Sequence, residues 1–237
     1  MTRDNGARYA VYFVPAADSD LYRFGSAMLG YDAYSDDDLP RPADLDIDDA
    51  DWRALTEEPR RYGFHATLKA PFRLAPPRRE EELIDAVRAF ACRPHEIAQI
   101  APQVRLLGAF TAVVPRAPVA ALAALAAACT TEFDQFRAPL SEQERARRDP
   151  SRLSERQVTQ LDRWGYPYVF DDFRFHMTLT GPLPAERRDD VLKRLRESFA
   201  RAWGDRPIAV DRIGLFKQAH AGARFRVLHH FPLTPSR

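Results

Sequence analysis

Apolar residues along the chain fall into short blocks with two periods. Tyr9-Ala10-Val11-Tyr12-Phe13-Val14 is a continuous run rich in aromatic and β-branched residues, halted by Pro15, and it predicts a buried strand. Asp18 is placed to cap a helix running to Leu29, with Gly30 as its stop. Phe64 to Ala70 predicts a second strand closed by Pro71. Glu80 to Ala91 predicts a charged helix with Leu83, Ala86, Val87 and Phe90 on one face. Val104 to Val114 reads as a strand or a pair of strands bent at Gly108. Pro118 suits the first turn of an alanine- and leucine-rich helix reaching about Phe136. Phe173 to Thr180 is another strand, ended by Gly181-Pro182, and Pro184 to Trp203 is a long amphipathic helix with Val191, Leu195 and Phe199 on its buried side. Ile208 to Lys217 and Phe225 to Leu233 close the chain as two strands joined near Ala221-Gly222. The order is that of an α+β protein, in which one module is run twice.

Two polar stretches interrupt this pattern. Tyr31 to Asp51 is acidic and proline-spotted, which fits a solvated loop, with a lid over an active site as the alternative. Ser141 to Arg163 carries Arg145, Arg147, Arg148, Arg152 and Arg156 among Glu142, Glu144, Asp149 and Glu155. A solvated helical hairpin is the reading favoured by that interleaving, and a phosphate-attracting rim is the alternative.

The two halves share a dense local match. Phe64-His65-Ala66-Thr67-Leu68-Lys69-Ala70-Pro71-Phe72 aligns without gaps to Phe175-His176-Met177-Thr178-Leu179-Thr180-Gly181-Pro182-Leu183. On a strand, residues i and i+2 share a face, so each copy offers one imidazole and one hydroxyl together, while Phe, Ala or Met, and Leu point the other way. If the copies face each other across a groove, His65, Thr67, His176 and Thr178 surround one small volume. An unperturbed imidazole has a pKa of about 6.5, so one can take a proton from water while the other gives one to a leaving oxygen. The threonine hydroxyls can bond phosphoryl oxygens as charge builds on them. Metal binding is the rival chemistry, but the motifs supply two nitrogens and no carboxylate or cysteine recurs at fixed spacing beside them. We therefore expect no metal and no cofactor.

Composition sharpens this only modestly. The chain has 237 residues, 45% hydrophobic, enough for one large domain or two small lobes. A formal net charge of +1 neither favours nor excludes nucleic acid. Two cysteines in no redox or metal spacing, and a polar start without a signal-peptide core, predict a cytoplasmic protein. The longest apolar stretch, Ala117 to Cys129, is too short to cross a bilayer, so no membrane association is expected.

At its two His-x-Thr motifs the sequence resembles the two-histidine (2H) phosphoesterase superfamily. The resemblance implies a bilobal fold over 1–237, with two antiparallel sheets related by a pseudo-twofold, helices on the outside and a helical insertion at about 118–163. It assigns the catalytic and phosphate-binding roles to His65, His176, Thr67 and Thr178. The runs Arg8 to Phe13, Arg61 to Phe72 and Ile213 to Gln218 are similar to one branch whose genes lie among those for carbon–phosphorus bond cleavage. That likeness implies a metal-independent cyclic phosphodiesterase acting on a small ribose cyclic phosphate in phosphonate catabolism. An RNA 2′,3′-cyclic phosphodiesterase and a non-enzymatic module binding a phosphorylated metabolite are the alternatives.

Further candidates are weaker. Lys69, two positions past Thr67, would share its face and could neutralise a phosphate. Arg61 and Tyr62 enter the first motif strand and could contact phosphate or a base. Tyr12 has aromatic companions that suggest core. His95, His220, His229 and His230 have no equivalent in the other half and are left out of the site.

Overall fold

Seven segments pair into one antiparallel sheet in a computed structural model that describes residues 6–42 and 45–236. In chain order they are β1 (Arg8–Phe13), β2 (Ala66–Arg73), β3 (Pro102–Leu107), β4 (Phe110–Pro115), β5 (Met177–Thr178), β6 (Arg212–Gln218) and β7 (Arg226–Pro232). Across the sheet they run β7-β6-β1-β2-β5-β4-β3. The helices are α1 (Asp20–Leu29), α2 (Asp49–Leu55), α3 (Glu57–Arg60), α4 (Glu80–Ala91), α5 (Ala120–Glu132), α6 (Glu142–Ala146), α7 (Glu155–Trp164) and α8 (Arg188–Ala202). The fold is α+β.

The resemblance implies two sheets lining a groove, whereas the structure joins them edge to edge. β2 and β5 meet through one register pair, Ala66 opposite Met177, with four strands on one side of that seam and three on the other. A buried apolar row crosses the seam: Val104, Val113, Met177, Ala66 and Phe13 stand opposite one another on five successive strands. Directly paired residues point to the same face, so this row defines the covered face of the sheet. α1 lies on it closely enough that Gly25 rests against the Phe64 ring, and Phe24 of α1 meets Phe199 of α8 edge-on.

Local chemistry explains where the elements depart from the sequence pattern. The α1 cap is Ser19, whose hydroxyl accepts the Tyr22 N–H, one residue later than Asp18. The strand anticipated over Phe173 to Thr180 shrinks to Met177–Thr178. Ahead of it the Arg174 carbonyl is taken by the His176 ring; beyond it the Thr180 hydroxyl accepts the Thr111 N–H in place of a main-chain carbonyl. Within Tyr31 to Asp51, the described residues form a two-residue hairpin, Tyr31–Asp32 with Asp37–Asp38, and α2. Ser141 to Arg163 forms α6 and most of α7, both started by serine capping boxes.

β2 is bulged. Thr67 pairs with Tyr12, but Lys69 pairs with Val11 and Phe72 with Tyr9, so β2 holds an extra residue at each of two places. Tyr12 and Val11 are neighbours on β1 and face opposite sides. Thr67 and Lys69 therefore face opposite sides too, and the i, i+2 rule that would unite them fails.

Gly25 has no room for a side chain, since a Cβ there would stand 2.1 Å from Phe64 Cγ. Overpacking of about 3 kcal/mol should outweigh the roughly 1 kcal/mol that alanine adds to a helix. Gly25→Ala is thus expected to lower unfolding free energy by about 2 kcal/mol, read from the urea midpoint. An unchanged midpoint would mean that Phe64 can move aside freely.

Candidate active site

The first histidine is set by a glycine turn. Gly63 adopts φ +74, the left-handed region, and a Cβ there would meet the Ala33 methyl at 2.7 Å. The turn presents its carbonyl to His65, whose Nδ1 donates to it at 2.9 Å. In the second motif His176 Nδ1 donates to the Arg174 carbonyl at 2.7 Å, again two residues upstream. A carbonyl can only accept, so both rings carry a proton on Nδ1, and Nε2 is the variable position in each. His65 Nε2 lies 3.3 Å from the Thr67 hydroxyl.

The seam brings the two motifs together. One step to either side of the Ala66–Met177 pair, the continued register sets His65 opposite Thr178 and Thr67 opposite His176. Residues so opposed hold their Cβ atoms about 5 Å apart, and the diagonal separating the two histidines is about 7–8 Å. All four side chains line one cavity of about 270 Å³ on the sheet face that the apolar row leaves free.

The two imidazoles sit in unequal surroundings. Tyr12 stacks on His65 with ring centroids 3.7 Å apart and 21° between planes, and Phe216 and Tyr62 stand at 6.1 and 6.4 Å. His176 has the Phe110 ring at 5.7 Å. Burial pushes the His65 pKa down to about 4; the Gly63 carbonyl opposes this and nearby His176 adds to it. Burial also lowers His176, against the pull of the Arg174 carbonyl.

Of the weaker candidates, Tyr62 lines the cavity and stacks on Phe225. Lys69 does not reach it. Turned away by the bulge, its ammonium is buried against the Thr130 carbonyl at 3.0 Å and Asp134 at 3.2 Å, and it serves packing on the covered side. Desolvation lowers its pKa to about 8, opposed by Asp134. Arg61 is also absent from the cavity: it is exposed and bonds the Ala221 carbonyl in the β6–β7 turn.

The lining also holds Arg8, Glu58, Phe110 and Tyr166, which have no counterpart among the sequence candidates, together with Tyr12, which the sequence assigned to the core, and Arg148 of the arginine-rich segment. Tyr12 is buried yet faces the cavity, because it pairs with Thr67 rather than with the apolar row. Arg8 is held by Gln218 at 2.7 Å, and Arg148 lies over the Tyr166 ring. Arg148 makes part of the arginine-rich segment a rim after all, whereas none of the described residues of 31–51 lines this cavity. Among the described residues no group of three or more His, Cys, Asp or Glu is gathered to hold a metal ion, and no helix is long and apolar enough to cross a membrane.

A family model described as "Protein of unknown function (DUF1045)" matches residues 67–226. Two curated relatives carry the name ribose 1,5-bisphosphate phosphokinase PhnN. The one from Janthinobacterium sp. (strain Marseille) is 37% identical over 237 residues, and the one from Laribacter hongkongensis (strain HLHK9) is 35% identical over 223. These alignments take in 99% and 93% of this chain but 52% and 50% of the relatives, so the chain spans about half the length of the curated relatives it matches. Among solved structures, E. coli LigT complexed with NADP+ aligns at a TM-score of 0.42 and 14% identity, covering 98% of this chain and 99% of that one. So loose a superposition carries no argument about reaction or ligand.

The aromatic box around His65 makes a spectroscopic prediction. In an NMR titration the His65 ring should protonate near pH 4, and Tyr12→Ala should move that point up toward the ordinary value of about 6.5. Since the folded pKa is depressed, His65 contributes stability that is present above about 6.5 and lost as pH falls toward 4. A wild-type His65 titrating at 6.5 would contradict the desolvation argument.

Proposed function

The chain belongs to the DUF1045 family, and for it we propose the activity of a cytoplasmic two-histidine phosphoesterase that opens a small ribose cyclic phosphate in phosphonate catabolism. The observation that supports this most is the pair of imidazoles with the same Nδ1 anchor, diagonal across one seam, each faced by a threonine. In this reading 1–237 forms one bilobal unit, a pseudo-twofold relates the motifs, and the insertion at 118–163 supplies part of the rim.

His65, kept neutral by its surroundings, is the base. Its Nε2 takes a proton from a water whose oxygen attacks phosphorus. His176 is the acid: its Nε2 proton passes to the ester oxygen as the P–O bond breaks, and the Arg174 carbonyl steadies the imidazolium before transfer. An anion bound between the rings raises both pKa values and protonates the less enclosed His176 first. Thr67 and Thr178 donate to the non-bridging oxygens, and Arg8 and Arg148 offset their charge.

The relatives' printed name concerns a sugar phosphate, which supports a substrate of that class. It also concerns a kinase. This chain has no Gly-x-x-x-x-Gly-Lys-Ser/Thr loop to cradle a nucleotide's phosphates, so its residues favour ester hydrolysis over phosphoryl transfer. An RNA cyclic end fits the same four residues as an alternative reading, favoured by the stacking surfaces of Tyr62 and Tyr166.

Hydrolysis of ribose cyclic phosphate followed by phosphorus NMR should proceed with EDTA present. His65→Ala and His176→Ala should each cost about 100-fold or more in kcat with the circular-dichroism spectrum unchanged. Full turnover in either variant sinks the assignment. The pH profile follows from the same groups. kcat/KM should fall below the depressed His65 pKa of about 4 and above that of His176, which is lowered from the ordinary imidazole value. The optimum is therefore acidic, and one above pH 8 would contradict these roles.

A further inference from the structure

A second cavity, of about 620 Å³, adjoins the first and shares Thr67, Ala70, Phe110, Tyr166 and His176 with it. Its remaining wall includes Arg105 and Arg174, both exposed. Arginines of the neighbouring insertion are neutralised by carboxylates: Arg145 by Asp162, Arg156 by Asp172 and Arg163 by Asp134. Among the described residues Arg105 and Arg174 have no such partner. The carboxylate in this wall, Asp172, is already bonded to Arg156 and Gln157.

The sheet register relates this space to the reacting centre. Arg105 pairs with Ala112, and Ala112 with Thr178, so the three stand in one row on one face. In that row Ala112 is the one residue between the arginine and the threonine. Two strand spacings set their Cα atoms about 10 Å apart, and the arginine stem can shorten that gap. An anion seated on Arg105 would lie about a pentose's length from a phosphorus held between the histidines.

We infer that the substrate carries a second anionic group, a phosphoryl ester at the far end of its sugar, which this cavity seats against Arg105 and Arg174. The inference rests on the phosphoesterase reading for its first anion. Tyr166, Tyr168, Phe170 and Phe173 form apolar walls for the sugar's carbon framework. The guanidinium groups offer planar pairs of donors that match phosphoryl oxygens.

The test compares ribose 2,3-cyclic phosphate with its 5-phosphorylated form. The second phosphate should raise kcat/KM about tenfold or more. Arg105→Gln and Arg174→Gln should each collapse that ratio, lowering turnover of the doubly charged substrate far more than that of the other. Equal kcat/KM for the two substrates, or equal losses on both in the variants, overturns the inference. So does a cytidine 2′,3′-cyclic phosphate that lacks a 5′-phosphate yet outruns the phosphorylated sugar and loses its advantage in Tyr168→Ala, since the cavity would then take a heterocycle. Calorimetry separates the two proposals. Tighter binding of ribose 1,5-bisphosphate than of ribose 5-phosphate, lost in Arg105→Gln, supports the anion site even if no cyclic phosphate is hydrolysed. Equal binding of the two sugars overturns it.

Discussion

Ala66 stands opposite Met177 in the one register pair that joins the two groups of strands among the described residues, and the spacing of the polar residues follows from that pairing. The imidazoles project from backbone positions fixed relative to each other, so their separation is a property of main-chain register. A slip of one residue along β5 would turn His176 into the covered face and bring Met177 to the cavity, parting it from His65. What prevents the slip is apolar burial. Phe13, Ala66, Met177, Val113 and Val104 lie in one dry row beneath the helices, and none of the alternating polar residues could replace them there without leaving a polar group unpaired.

The repeat makes the two histidines alike in covalent setting, and the fold makes them different in environment. Both give the Nδ1 proton to a carbonyl two residues back, which fixes ring orientation and leaves Nε2 to the cavity. Symmetry ends there. Tyr12 covers one face of His65, while His176 lies nearer the opening shared by the two cavities. General acid–base catalysis needs one group to hold a proton and another to lack it at the same pH. For the proposed hydrolysis, unequal desolvation of a duplicated residue would supply that separation without a further charged group.

The legibility of this site in the sequence depended on strand regularity. His65 and Thr67 were readable as a pair because no extra residue falls between them, and the same is true of His176 and Thr178. Lys69 obeys the same arithmetic on paper but lies past a bulge that a hydrophobicity pattern does not reveal, so its face is reversed. Tyr12 looked like core because it is buried among aromatics, and it is buried; its stacking on His65 depends on which face β1 turns toward β2. Arg148 belongs to a segment whose interleaved charges predict a helical hairpin, and Tyr166 lies just beyond it. The segment's docking against the cavity arises from tertiary contacts that leave no local signal.

That segment also shows how a chain of net charge +1 can concentrate cations at one place. Three of its arginines are cancelled within the insertion or by residues flanking it, Arg145 by Asp162, Arg156 by Asp172 and Arg163 by Asp134. Exposed pairs of this kind add little stability, and their effect is to tie the helices to each other and to the body of the protein. Arg148 is left outside this web and rests on Tyr166, whose ring belongs to the walls of both cavities. Cancelled charges contribute little field at a distance, whereas Arg8, Arg148, Arg105 and Arg174 line the two cavities together with Glu58 and the already paired Asp172. Local pairing of charges, more than their number, sets where an anion is drawn.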